Sequence, residues 1–243
     1  MLNKKAVMNL SFVDSSLDQF VKELEHYIDT STKAHVVTAN PEIIMYGEKD
    51  PSYKKILEQA EFMTPDGIGV VIASKILGDH LQERIAGFDV MERLLQLSSE
   101  KQYKLYFIGA SQDVIETAVG NMKRKYPSLS VVGYHNGYFD WDDNVLVETI
   151  AESKPDIIFV GLGFPKQEQW ISKSIDSFNK GIFIGVGGSF DVWAGKVKRA
   201  PIVWQKLNIE WLYRLVNQPT RWRRMLVLPQ FLIKIIGIRM LKK

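Results

Sequence analysis

Short apolar runs rich in β-branched residues alternate along this chain with longer stretches whose apolar residues recur every three or four positions. The runs Ala6–Leu10, His35–Ala39, Lys104–Gly109, Ser130–Tyr134, Asp156–Gly161 and Ile182–Val186 read as strands. The stretches Leu17–Ile28, Ile68–Leu77, Val90–Leu97, Val114–Tyr126, Asn144–Glu152 and Gln167–Ile175 read as amphipathic helices. Strands separated by helices of this length predict an α/β fold, with a mostly parallel sheet covered by helices on both faces. No internal repeat or low-complexity segment interrupts the pattern.

The pattern changes near Lys196. Pro201 suits the first turn of a helix, and Ile202–Asn217 reads as one helix with Val203, Leu207, Trp211 and Leu215 on one side. Pro219 ends it and Thr220 can cap the next. The last stretch, RWRRMLVLPQFLIKIIGIRMLKK, is apolar but broken by Pro229, Lys234 and Gly237, which suits a helix lying in an interface better than one crossing it. An ordinary helix docked on the core is the plainer alternative.

Charge sharpens this division. Of 31 Lys and Arg in 243 residues, twelve fall in residues 196–243, which hold a single acid, Glu210, and three of the six Trp. Residues 1–195 therefore carry 19 basic against 27 acidic side chains, so a net +3 hides an acidic body and a strongly basic tail. Basic and aromatic together point to an anionic surface: a lipid leaflet, a diphosphate or nucleic acid. Two domains are expected, 1–195 as the α/β body and 196–243 as a helical appendage. With no Cys there is neither a disulfide framework nor a thiolate metal site. The four His (His26, His35, His80, His135) show no ligand spacing. The opening MLNKKAVMNLSFVD has no long apolar run, so no signal peptide is expected.

Candidate chemistry gathers where strands end. Three strands run into glycine loops: FIGAS at 107–111, VGLGFPKQ at 160–167 and IGVGGSF at 184–190. Ligands of open α/β sheets sit beyond the carboxyl ends of strands, and glycine lets backbone N–H groups approach a phosphate. None of the three is a full dinucleotide or P-loop fingerprint, and turn-making alone explains glycine after a strand. In AEFMTPDGIG a short β-type run ends in a Pro-Asp-Gly turn that presents Asp66, although that tripeptide most often simply makes a turn. HVVTANP ends another strand with Thr38 and Asn40, and capping of the next helix accounts for Asn40. Arg84, in QERIAGFD, reads as either solvated or cleft-lining. Asp140 and Asp142 in FDWDDN form a DxD pattern of the kind that holds a divalent metal on a sugar-nucleotide diphosphate, but capping of the helix near Asn144 explains Asp142 or Asp143 too. Tyr138, beside Gly137, could stack on a base or fill space.

Taken in order, HVVTANPEI, TPDGIGVV, ERIAGFD, FIGAS, HNGYF, VGLGFPKQEQW and GVGGSFDVWAGKVKRAP resemble the WecG/TagA/CpsF family of bacterial glycosyltransferases, from about residue 7 to 225. The resemblance implies a Rossmann-like body with its own topology and an inverting, metal-independent enzyme with no cofactor. The likeness is greatest to the branch that moves N-acetylmannosamine from UDP to the 4-hydroxyl of undecaprenyl-diphosphate-linked N-acetylglucosamine, in building the linkage unit of wall teichoic acid. It implies Asp66 as catalytic base, with Thr38, Asn40, Arg84 and Gln167 in the pocket. Gly109, Tyr138, Phe164, Gly187, Gly188 and Asp191 are then placed toward the UDP-sugar. Arg214, Arg221 and Arg224 match arginines of an appendage that meets the membrane and completes the site. The implied place of work is the cytoplasmic face of the bacterial plasma membrane, as a peripheral protein.

Other readings remain beside this one. Within the family the donor could be UDP-N-acetylmannosaminuronic acid or UDP-glucose. A nicotinamide oxidoreductase lacks the glycine fingerprint and a ribose-binding acid. A nucleic-acid binder fits the basic tail but not its long apolar faces or the acidic body, so no nucleic-acid partner is expected. Homo-oligomerisation is left open by the sequence.

Overall fold

The computed structural model describes residues 2–142, 144–217 and 222–241, without the side chains of Lys206, Arg214, Arg223 and Arg224. It opens with an antiparallel hairpin, β1 (Lys4–Val7) and β2 (Leu10–Val13). Met8 and Asn9, at φ 52° and 64°, form its two-residue turn. Two successive left-handed residues match the twist of the strands they join. This corrects the single strand expected over Ala6–Leu10: the apolar run reverses on itself, and Val7 pairs with Leu10.

The α/β body follows. Helix α1 (Leu17–Asp29) starts from a capping box between Ser16 and Gln19. Strand β3 (Lys33–Ala39) leads to α2 (Pro41–Gly47) and α3 (Pro51–Gln59), each with Pro in its first turn and an Asx cap, Asn40 and Asp50. Then come β4 (Phe62–Pro65), α4 (Ile68–Leu77), α5 (Gly87–Lys101), β5 (Lys104–Gly109), α6 (Gln112–Lys125) and β6 (Ser130–His135). They are followed by α7 (Asn144–Glu152), β7 (Ile157–Gly161), α8 (Lys166–Ser174), β8 (Gly181–Gly185) and α9 (Ser189–Trp193). Helix α3 escapes the sequence pattern because it buries only Tyr53 and Leu57.

Six strands form one sheet in the order β4-β3-β8-β7-β5-β6, and every pairing is parallel. Alternate residues serve opposite faces, as the strand period requires. Val36, Phe107, Phe159 and Ile184 pack toward α1, α5 and α6. Val37 and Met63 face α2, α3 and α4, while Ile108, Val160 and Phe183 face α8. His35 is buried in the sheet, and burial pushes its imidazole down to about 3, so it stays neutral.

The basic segment forms α10 (Ile202–Lys206), α11 (Glu210–Asn217), α12 (Trp222–Met225) and α13 (Val227–Leu241). The single helix expected over Ile202–Asn217 is broken: Asn208 is left-handed at φ 58°, and α11 starts afresh two residues later. Val203 and Leu207 are largely exposed there. Helix α13 runs through Gly237 and carries Pro229 in its first turn, where a missing N–H costs nothing. It packs on α4 and α2. Phe231 and Ile235 are fully buried in the α2–α4 core, Lys234 pairs with Glu48 at 2.7 Å, and Leu228 approaches Gly69. The opposite face leaves Ile233, Ile236 and Met240 in solvent. The helix is thus docked by one apolar face and exposes another. No helix among the described residues is long and apolar enough to cross a membrane.

Phe231→Ala is expected to lower the free energy of unfolding by about 3 kcal/mol, the usual cost of emptying a buried Phe site. Urea titration followed by circular dichroism measures it; a variant as stable as the parent would mean that α13 is no part of the cooperative core.

Candidate active site

The carboxyl ends of β3 and β4 bring the first group of residues together. In register, Ala39 faces Pro65, and the Asp66 N–H donates to the Ala39 carbonyl at 3.0 Å. Asp66 therefore leaves the sheet one residue past its edge, beside Asn40, and is half-buried. Gly67 follows at φ 108°, a conformation that L side chains avoid, and this lets α4 start at once. The chain returns after α4, and the Ile85 N–H donates to the Pro65 carbonyl at 3.0 Å. That bond carries Arg84 to the end of β4, where its guanidinium feels the Asp66 charge. Asn40 caps α2 through Oδ1 and the Ile43 N–H, the role read for it from sequence. Thr38 is buried, its hydroxyl donating to the Gly185 carbonyl and tying β3 to β8.

Gln167 joins the next two strand ends. Its Oε1 accepts the Gly187 N–H at 2.9 Å, and its Nε2 donates to Glu168 Oε1 at 2.7 Å. The amide is thereby fixed in one orientation, and Gly187 commits its N–H to the protein, which removes one anion donor expected in the GVGGS loop. Gly188 lies exposed at the start of α9, with Asp191 half-buried in its first turn.

Other sequence candidates have structural explanations. A Cβ on Gly109 would lie 2.4 Å from the Gly161 carbonyl oxygen, so the FIGAS glycine is fixed by the approach of β5 to β7. Phe164 packs edge-on against Tyr46 and Tyr53. Tyr138 is 80% exposed on the loop after β6. Asp140 accepts the Asp142 N–H, and Asp142 pairs with Lys173 at 2.8 Å. No three His, Asp or Glu among the described residues cluster as metal ligands. Of the tail arginines, Arg221 and the side chains of Arg214 and Arg224 lie outside the described residues.

Two features escaped sequence reasoning. The first is a closed ring of alternating charge. Arg84 pairs with Asp89 at 3.3 Å and with Glu210; Arg199 pairs with Asp89 and lies 3.9 Å from Glu210. Arg199 also stacks on Phe88, 4.4 Å from the ring centre. Burial would lower the Arg84 pKa, but the Glu210 hydrogen bond and charge, then Asp66 and Asp89, raise it. The lone acid of a basic segment was the available signal for Glu210. The second is Glu168, fully buried under Gln167 with no cation bonded to it among the described residues. Burial pushes its carboxyl up to about 7, partly offset by the hydrogen bond from Gln167 and by the polar surroundings of its own backbone and the nearby Tyr53 hydroxyl. Its place in PKQE, next to Gln167, gave no hint of burial.

A family model described as "Glycosyl transferase WecG/TagA/CpsF family" matches residues 5–243. A Bacillus spizizenii protein named N-acetylglucosaminyldiphosphoundecaprenol N-acetyl-beta-D-mannosaminyltransferase is 42% identical over 236 residues, covering 97% of this chain and 91% of that protein. A Bacillus subtilis protein of the same name is 41% identical, with 97% and 92% covered. A Staphylococcus aureus protein, again of that name, is 37% identical over 234 residues, with 96% and 92% covered.

Glu168 supplies a pH test. Its raised folded-state pKa means that its contribution to stability is present below about 4.5, the ordinary value, and is lost as pH rises through about 7. Glu168→Gln cannot lose a proton. The stability of the variant minus that of the parent should therefore rise by on the order of 2–3 kcal/mol between pH 5 and pH 8. Parallel urea titrations at the two pH values measure this difference; equal differences would exclude a buried, proton-binding Glu168.

Proposed function

The chain belongs to the WecG/TagA/CpsF family of glycosyltransferases, and from that premise we propose that it transfers N-acetylmannosamine from UDP-N-acetylmannosamine to the 4-hydroxyl of undecaprenyl-diphosphate-linked N-acetylglucosamine. The observation that carries this reading is the placing of Asp66, Asn40, Arg84 and Gln167 at the carboxyl ends of the strands, in a chain matched nearly end to end by relatives named as N-acetylmannosaminyltransferases acting on N-acetylglucosaminyldiphosphoundecaprenol.

The reaction is a single displacement. The acceptor oxygen forms a bond to the anomeric carbon as the bond from that carbon to the UDP oxygen breaks, inverting the centre from the α-linked donor to a β-linked product. The acceptor proton passes to Asp66, and the electron pair of the broken bond leaves with UDP. Asp66 stands half-buried at the end of β4, where its carboxylate can take that proton. Arg84 lies within the field of Asp66. Its guanidinium suits either the departing diphosphate or the orientation of the base. Gln167 holds the loop at Gly187 in place, and in this reading Gly188 and the tail arginines Arg214, Arg221 and Arg224, which the family resemblance points to, also meet the diphosphate. Catalysis then rests on fixed dipoles and guanidinium groups, without a metal.

Residues 196–243 act in this reading as the membrane-facing part. Ile233, Ile236 and Met240 project from α13 opposite its docked face, and each nearby Lys or Arg adds about 1 kcal/mol of attraction to an anionic leaflet. The protein then works peripherally on the cytoplasmic face of the plasma membrane, where the acceptor's diphosphate can reach the sheet edge.

The test is transfer of radiolabel from UDP-N-acetylmannosamine to a short-chain lipid diphosphate N-acetylglucosamine, with UDP-glucose and UDP-N-acetylmannosaminuronic acid as competing donors and EDTA in one arm. The expected result is preference for the first donor, no loss with EDTA, and at least a hundredfold drop in kcat for Asp66→Asn with UDP binding kept. Preference for another donor overturns the substrate assignment; near-normal turnover of Asp66→Asn overturns the base.

A further inference from the structure

Glu210 is the only acid in residues 196–243, and it is 8% exposed. A buried carboxylate persists only if its partners replace water. Its partners here are Arg84 and Arg199, which share Asp89 as well. Two members of this four-charge ring, Arg84 and Asp89, come from the body; the other two come from the basic segment. The cation Arg199 is already held to α5 by Asp89, Glu92 and the face of Phe88. Glu210 is the member that reaches onward to Arg84.

Apolar docking does little to hold α10. Ile202, Val203 and Leu207 are each more than 60% exposed. Helices α10 and α11 pack mainly on each other, with Trp204 edge-on to Tyr213. The described anchor at the start of α11 is ionic, and it falls on Arg84, whose guanidinium feels the Asp66 charge.

We propose that Glu210 is a positioning residue: its carboxylate pins the start of α11 to Arg84, so that seating of the basic segment and orientation of the arginine beside Asp66 are one event. This rests on the reading of Asp66 and Arg84 as the reacting site. Without Glu210, Arg84 keeps Asp89 and Asp66 as the acids around it, turns toward them, and no longer fixes α11. Glu210 touches no substrate; it acts through Arg84. An isosteric amide keeps the shape and one carbonyl oxygen that can accept from a guanidinium, but without charge it cannot balance two guanidinium groups.

The experiment compares full-length parent, Glu210→Gln, Glu210→Asp and Arg84→Lys on vesicles containing the lipid-linked acceptor. It reads kcat and KM for the UDP-sugar, and the rate of tryptic cleavage within residues 200–226. Glu210→Gln should lose at least tenfold in kcat, with the donor KM within threefold of the parent, and should be cleaved at least fivefold faster. Glu210→Asp should recover part of both, and Arg84→Lys should be cleaved faster than the parent. Parental kcat and parental cleavage in Glu210→Gln overturn the proposal. So does faster transfer with tighter UDP binding, which would make Glu210 a competitor for the diphosphate on Arg84. A parent that transfers no N-acetylmannosamine refutes the substrate reading alone, because the cleavage arm still decides whether Glu210 tethers the segment.

Discussion

A parallel sheet must be covered on both faces, and its strands all end on one edge. Those two constraints organise the rest of this protein. Coverage sends α1, α5 and α6 to one face and α2, α3, α4 and α8 to the other. The common edge then collects every loop that follows a strand. At that edge the ladder hydrogen bonds run out, and backbone and short side chains take over. Asp66 N–H bonds to Ala39, Ile85 N–H to Pro65, Thr38 to Gly185, and Gly187 N–H to Gln167. These bonds set where the polar groups of β4, β3, β8 and β7 meet. The position of the site is thus a consequence of sheet topology, while its chemistry comes from the residues that happen to stand one step beyond the ladder.

The basic segment adds a second layer of organisation with two different physical means. Helix α13 is held by apolar burial: Phe231 and Ile235 complete the core around α2, α3 and α4. The stretch before it is held by charge, through Glu210 and Arg199 on Arg84 and Asp89. Apolar burial is insensitive to salt and to small shifts. A ring of paired charges is directional and depends on each member. The docked-helix reading of the last stretch describes α13: Phe231 and Ile235 are buried on one face, and Ile233, Ile236 and Met240 stand exposed on the other.

The fold was largely legible. Alternation and helical period located five of the six sheet strands, and the β-type run before Asp66 was the sixth, β4. What misled was local. Ala6–Leu10 looked like one strand because apolar residues flank Met8 and Asn9, yet two left-handed residues turn the chain there. Ile202–Asn217 looked like one helix because its apolar spacing continues across Asn208, although that residue breaks it. Of the site, Asn40 as a cap was read from its place before Pro41, and the glycine of FIGAS had turn-making as its plainer explanation. In the structure the approach of β5 to β7 excludes any side chain at Gly109.

Sequence by itself determined the alternation of strand and helix, the split between acidic body and basic segment, and the motif order that marks the family, because each is a property of neighbours along the chain. Asp66 and Gln167 came forward as candidates only through the family resemblance that this motif order carries. Tertiary structure alone decided which strand ends adjoin, that Glu168 lies buried beneath Gln167, and that Arg84, Asp89, Arg199 and Glu210 close into a ring. Arg84 and Glu210 are 126 residues apart. Burial and pairing between such residues depend on desolvation and on distances that no local pattern encodes, so these contacts exist only once the sheet has brought its edge together.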